Sequence, residues 1–189
     1  AGNHDVGDVP TARTLMAFRK NIGPDYYTFT DKNVLGIVLD SNLIRGPQGD
    51  PEAAGKQKQW LIKTLRNARS DPGKLIVVFQ HVPYFLKSAD EDDNYFNIPK
   101  PARREYLDLL EKAGVNYVFA GHYHRNAGGR DGQLVEIVTG AVGMPLGGSV
   151  SGFRMVAVQG DTLKAPWFCF GGIPNRFDFQ NPFHTPCAQ

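Results

Sequence analysis

Cysteine is nearly absent: Cys169 and Cys187 are the only two in 189 residues, both toward the C-terminus. Two thiols cannot build a disulfide framework, and they form no Cys-x-x-Cys metal pair. They read as reduced thiols, which points to a cytoplasmic setting. Long apolar runs are missing too, none approaching the ~18 residues a membrane-spanning helix needs. No charged-then-apolar leader precedes Gly2, and any targeting segment upstream of Ala1 lies outside this sequence. Nor does charge of one sign dominate. The 21 Lys and Arg are balanced by 19 Asp and Glu, for a net charge of +2, and the two signs are interspersed. That argues against a nucleic-acid partner, and no membrane partner is indicated.

What remains is a globular composition, 41% hydrophobic and 21% charged, at a length typical of one domain, with no internal repeat. Leu35-Gly36-Ile37-Val38-Leu39, Leu75-Ile76-Val77-Val78-Phe79 and Tyr117-Val118-Phe119-Ala120 are short continuous apolar runs, as expected of strands buried on both faces. A helix is predicted between the first two, over about 51–68, with Trp60, Leu61 and Leu65 at helical spacing and Ser70-Asp71-Pro72-Gly73 as its stop. A second lies between the next two. It starts near Pro101, carries Tyr106, Leu109, Leu110 and Ala113 on one side, and ends at Gly114. Thr11 is a candidate N-cap for an earlier helix bearing Leu15, Phe18 and Ile22, closed by Gly23-Pro24. Alternating strands and helices predict an α/β arrangement. Beyond His124 the helical period disappears. Leu134-Val135-Glu136-Ile137-Val138, 153–158 and the stretch from Thr162 read as an antiparallel second layer. The segment 171–189 has no period and is expected to be an irregular tail, with a late strand around Arg176-Phe177-Asp178-Phe179 or a docked extension as the options.

Histidine is also scarce, and four of the five, His4, His81, His122 and His124, fall where strands should end. A metal site assembled from strand ends is the strongest physical reason for that distribution, since imidazole is the commonest metal ligand. The Gly121-His122-Tyr123-His124 turn brings two imidazoles close together, and Asn3 can add its amide oxygen. Mixed nitrogen and oxygen donors suit zinc, manganese or iron. Arg125 and Asn126 follow directly, and a guanidinium fork matches phosphate geometry. For each of these the bland reading is a hydrogen-bonded structural side chain. The run Asp90-Glu91-Asp92-Asp93 reads as a solvated loop, or as a rim selecting basic substrates.

Gly2-Asn3-His4-Asp5, then a strand ending at His81, then Gly121-His122-Tyr123-His124, in that order, resembles the calcineurin-like metallophosphoesterases, and among them the calcineurin-like phosphoesterase domain-containing protein 1 group. Phe79-Gln80-His81-Val82-Pro83, the acidic run with Tyr95-Phe96-Asn97 after it, and 122–129 extend the likeness, which covers roughly residues 2 to 160. The resemblance implies a four-layer α/β/β/α sandwich. It also implies two divalent or trivalent metal ions (manganese, iron or zinc) and hydrolysis of phosphomonoesters by attack of a metal-bridging hydroxide on phosphorus. The implied substrates are phosphorylated, with phosphoserine and phosphothreonine proteins foremost. By motif, Asn3, His81 and His122 bind one metal and His124 the other. His4 protonates the leaving alkoxide or orients the phosphate, and Arg125 and Asn126 contact substrate.

The family pattern also needs an Asp-x-His motif and a Gly-Asp motif before Gly2-Asn3-His4. The first occurs nowhere in this chain. Gly7-Asp8, Gly49-Asp50 and Gly160-Asp161 all come after that segment, in loop-like contexts. Residues 1–170 are therefore expected to be the C-terminal part of a single domain truncated at its N-terminus. A phosphodiesterase of the same superfamily, or a non-catalytic binding fragment, is the alternative.

Overall fold

A computed structural model describes residues 1–69, 71 and 73–173. Its centre is a six-stranded mixed sheet built from β1 (Tyr27–Asp31), β2 (Val34–Val38), β3 (Leu75–Phe79), β4 (Tyr117–Ala120), β5 (Ala127–Asp131) and β6 (Leu134–Val138), in the order β1-β2-β3-β4-β6-β5. The four inner strands run parallel, and the two edges are antiparallel hairpin partners.

The three apolar runs became strands because both of their faces are covered. On β3, Ile76 and Val78 join the large core that includes Leu61 and Leu65 of α4 (Pro51–Ala68) and Tyr106, Leu107 and Leu110 of α5 (Lys100–Lys112). Their neighbours Leu75 and Val77 face the other way, packing with Phe119 and with Leu163 and Val158. A period-2 strand with an apolar partner on each side has no reason to alternate.

Chain order is completed by α1 (Asn3–Val6), α2 (Ala12–Asn21) and α3 (Ser41–Arg45). Thr11 caps α2 as expected, its hydroxyl accepting from Thr14 N at 3.3 Å. Asp50 caps α4 through Ala53 N at 2.9 Å, and Pro51 opens that helix at a position where no N–H is needed.

The C-terminal expectation needs one correction. Leu134 to Val138 is not in a second layer: β6 lies beside β4, parallel to it and in the main sheet. Gln133 and the φ +55 glycine Gly132 turn β5 back against it. Gly128 has φ 130, and a Cβ there would fall 2.1 Å from the Glu136 carbonyl oxygen, so only glycine lets this edge strand close. The second β layer consists of two short hairpin sheets, β7 (Gly152–Arg154) with β10 (Trp167–Cys169) and β8 (Ala157–Gln159) with β9 (Thr162–Lys164). The molecule is thus α/β, with helices on one face of the sheet and short β elements on the other.

A second correction concerns sulfur. Cys169 is disulfide-bonded, so the reduced-thiol expectation does not hold there, nor does the argument for a reducing compartment built on it. Cys187, the rest of the tail from residue 174 and its candidate strand lie outside the described residues. Among the described residues no helix is long and apolar enough to cross a membrane.

Candidate metal centre

Parallel strands end together, so residues that follow them share one edge of the sheet. His81 follows β3 by two residues and His122 follows β4 by two. Gly121 N donates to the His81 carbonyl at 3.0 Å, which ties the two strand exits together. The segment 2–6 folds against the same edge. Gly2 packs closely there: a Cβ would lie 3.3 Å from His81 Cε1 and Nδ1.

Three donor atoms from these segments converge. Asn3 Oδ1 is 2.9 Å from His81 Nε2, and His81 Nε2 is 3.2 Å from His122 Nδ1. Around one ion with bonds of about 2.1 Å, adjacent donor atoms lie roughly 3.0 to 3.4 Å apart, so these spacings fit a shared cation. The protonation states fit as well. Burial, with the neighbouring His122 adding to it, pushes His81 down to about 4, and burial also lowers His122. Both rings are therefore neutral at pH 7 and carry lone pairs. What the cluster lacks is anionic charge. Among the described residues no group of three or more His, Cys, Asp or Glu is placed to hold a metal. The donors fit one ion and do not by themselves complete a pair.

The other expected residues are placed differently. His124 is near enough for its charge to bear on His81 and His122, but its Nδ1 pairs with the Met144 carbonyl at 2.7 Å. A carbonyl only accepts, so that nitrogen carries the proton and Nε2 is left as the available donor atom. His4, directly after Asn3 in α1, is exposed. Arg125 lies over the Tyr123 ring at 4.2 Å, and its Nε is buried without a partner among the described residues. Asn126 is tied into the loop framework, its Oδ1 accepting from Gly140 N at 3.1 Å and Arg154 Nη2 at 2.8 Å. A cleft of about 540 Å³ beside Tyr123 and Asn126 is lined by Lys87, Asp92 and Asn94. One of about 470 Å³ opens beside Gly2 and His81.

Several contributors escaped the sequence reading. Asp8 accepts from Asn3 Nδ2 at 3.2 Å and from Arg45 Nη1 at 3.0 Å. Tyr95 reaches Asn3 with its hydroxyl and His122 with its carbonyl, each at 3.2 Å. Glu136, fully buried in β6, accepts Tyr84 N at 2.8 Å and Phe85 N at 2.9 Å, which anchors the loop leaving His81. The acidic run is chiefly structural. Glu91 accepts from Leu86 N, Lys87 N, Ser88 N and Asn97 Nδ2. Asp93 accepts from Lys100 N and the buried Arg103, and Asp90 pairs with Arg104. The nearest signal in the sequence was Tyr95-Phe96-Asn97, noted as part of the family likeness but given no role.

His81 and the Gly-His-x-His turn stand at the exits of β3 and β4 with Asn3 of α1 beside them, in a chain similar to calcineurin-like phosphoesterase domain-containing proteins. No family model matches it. In particular, it is similar to the serine/threonine-protein phosphatase CPPED1 of Bos taurus, 42% identical over 176 residues that make up 93% of this chain and 56% of the relative. It is likewise similar to CPPED1 of Homo sapiens, 43% identical over 177 residues with the same coverage. The chain thus spans about half the length of the curated relatives it matches. A dimetal phosphatase structure from Danio rerio aligns with a TM-score of 0.49 at 14% identity, over 67% of this chain and 56% of that one, too slight a likeness to carry an argument.

Proposed function

We propose that residues 1–170 are the C-terminal part of a metallophosphoesterase domain that hydrolyses phosphomonoesters on phosphoserine or phosphothreonine of proteins, with 171–189 as a tail. The observation that carries this is the convergence of Asn3 Oδ1, His81 Nε2 and His122 Nδ1 at 2.9 and 3.2 Å, in a chain this similar to CPPED1. In the complete centre these three atoms hold one ion and His124 Nε2 contributes to the other. Bound metal supplies Lewis acidity toward a phosphoryl oxygen and lowers the pKa of water. Manganese, iron and zinc all suit this donor set.

The chain's own side chains do the rest. Both imidazoles are neutral: His122 Nδ1 offers its lone pair as it stands, and His81 Nε2, which faces two acceptors, would offer one once the ring proton sits on Nδ1. His4, exposed beside Asn3, gives a proton to the leaving alkoxide or orients the phosphate. Arg125 offers its terminal nitrogens to a phosphate oxygen while its guanidinium lies over the Tyr123 ring. Asn126 has only its amide N–H groups left for substrate, because its oxygen is already shared between Gly140 and Arg154.

For the 189-residue polypeptide alone, the absence of an Asp-x-His motif and of a bridging carboxylate favours a second reading, a fragment with little or no turnover. Metal content by mass spectrometry, paired with p-nitrophenyl phosphate turnover with and without manganese, separates the two. Two ions and robust turnover would refute the incomplete-site reading. At most one ion without turnover supports it. On a longer chain carrying the missing motifs, preference for bis-p-nitrophenyl phosphate over the monoester would replace the monoesterase proposal with a phosphodiesterase.

A further inference from the structure

We infer that Tyr95 is a positioning residue that fixes the amide orientation of Asn3 and the tautomer of His122, through its side chain and its main chain respectively; this rests on the metal reading above. Asn3 and His122 are far from Tyr95 in sequence and come from different segments, yet both meet it at 3.2 Å.

The neighbouring groups leave each contact one chemically consistent polarity. Asp8 is an acceptor, so the Asn3 atom 3.2 Å from it is the amide nitrogen. The second N–H of that amide then points to the Tyr95 hydroxyl oxygen, and Oδ1 is turned toward His81. With the amide flipped, two N–H groups would face the cation. At His122 the Tyr95 carbonyl can only accept, so Nε2 carries the proton and Nδ1 keeps its lone pair toward His81. Arg45 Nη1 is also near Nε2, at 3.5 Å, but it is a donor bound to Asp8 at 3.0 Å and lies over the Tyr95 ring at 4.8 Å. The longer contact yields to the shorter, better matched one. A metal-binding imidazole whose other nitrogen donates to a carbonyl is held in the ligating tautomer, and losing such an outer contact costs 10- to 100-fold in metal affinity.

The loop that carries Tyr95 is held firmly enough for this task. Asn94 N donates to Asn97 Oδ1 at 3.0 Å, Phe96 N to Asn94 Oδ1 at 2.8 Å, and Asn97 Nδ2 to Glu91 Oε1 at 2.7 Å. The Phe96 ring sits 5.8 Å from that of His122.

Two measurements on the 189-residue chain test the inference. The first is ¹⁵N NMR of His122 without metal, which should show a protonated Nε2 and a bare Nδ1; the opposite tautomer would overturn the main-chain arm. The second is Mn²⁺ affinity by calorimetry for the unsubstituted chain, Tyr95→Phe, Asn3→Ala and the double variant, with metal-free melting curves confirming that each folds. Tyr95→Phe should weaken Mn²⁺ binding about tenfold or more, and should add almost nothing in the Asn3→Ala background. An unchanged affinity, or a loss that persists with Ala at position 3, would overturn the side-chain arm. If the unsubstituted chain binds no Mn²⁺, the incomplete-site reading is supported and the tautomer alone decides the inference.

Discussion

His122 and His124 stand two residues apart in one turn, and both adopt a left-handed backbone, φ 62 and 57, yet they are held by opposite means. His122 is 7% exposed and meets His81, Tyr95 and Arg45, which arrive from three distant segments. The His124 side chain makes one hydrogen bond, to the Met144 carbonyl, in a stretch whose Val142 and Met144 are among the most exposed apolar side chains. The difference shows that the candidate centre is preformed on one side only. That side is where strand exits, α1 and the loop around Tyr95 lock together. The side of His124 depends on a surface loop.

The largest effect should come from removing the support beneath the rigid side. Arg103 is fully buried on α5 and donates to the carbonyls of Ile98, Ala89 and Glu91 and to Asp93. Arg103→Met leaves the three carbonyls without this donor, while Asp93 is half-exposed, and should cost about 3–5 kcal/mol in urea unfolding, at about 1–3 kcal/mol for each buried acceptor left unpaired. A loss below about 1 kcal/mol would mean that the Tyr95 loop draws its order from elsewhere.

Next comes the direct contrast. His122→Ala should lower Mn²⁺ affinity by more than about 100-fold, beyond the usual cost of an outer-contact mutation. His124→Ala in this chain should cost less than about tenfold. Equal losses by calorimetry would erase the distinction between the two histidines.

Much of the rigid side was legible beforehand, and the reason is periodicity. Leu75 to Phe79 and Tyr117 to Ala120 announced doubly buried strands, Thr11 its helix start, and the helix over 51–68 its full span. The histidines could be read because strand ends in a parallel sheet share an edge, whatever the sequence distance. The edges could not. β1 is exposed along its whole length and β5 reads Ala-Gly-Gly-Arg-Asp, so neither carries an apolar pattern, and both strands exist because a hairpin partner accepts their hydrogen bonds. Asp8, Arg45, Tyr95 and Glu136 were illegible for another reason. Each is an ordinary polar residue whose role lies wholly in contacts the fold creates, 92 residues apart for Asn3 and Tyr95.

Glu136 extends the comparison to pH. Burial pushes its carboxyl up to about 8, against two backbone amides that pull the other way; Glu91 adds to the rise and Arg103 opposes it. A carboxyl whose folded pKa is raised binds its proton more tightly in the native state than when unfolded. Its contribution is therefore complete below the ordinary value of 4.5 and is lost as pH rises toward about 8. The depressed His81 and His122 give the opposite slope below about 6.5, so urea midpoints should fall from about pH 7 to about pH 8, and Glu136→Gln should flatten that fall while lowering stability throughout. A wild-type midpoint that is flat or rises over this window would mean that the two amides win and the group is ionised in the fold.

The smallest expected effect probes the same asymmetry with a single methyl group on each side. Gly2 has an ordinary φ of −104, so Gly2→Ala adds no backbone strain, only a Cβ 3.3 Å from the His81 ring. The ring must give by a few tenths of an ångström, and because His81 Nε2 already touches Asn3 and His122, that shift passes directly into the donor triangle. Gly143 neighbours Met144 on the His124 side, and a Cβ there meets nothing within 4 Å. Gly2→Ala should therefore weaken Mn²⁺ binding several-fold, with a change in stability of under about 1 kcal/mol, whereas Gly143→Ala should leave both unchanged. If the two substitutions behave alike, the close packing behind His81 does not set the donor geometry. The rigidity of that side would then rest on the Tyr95 loop alone.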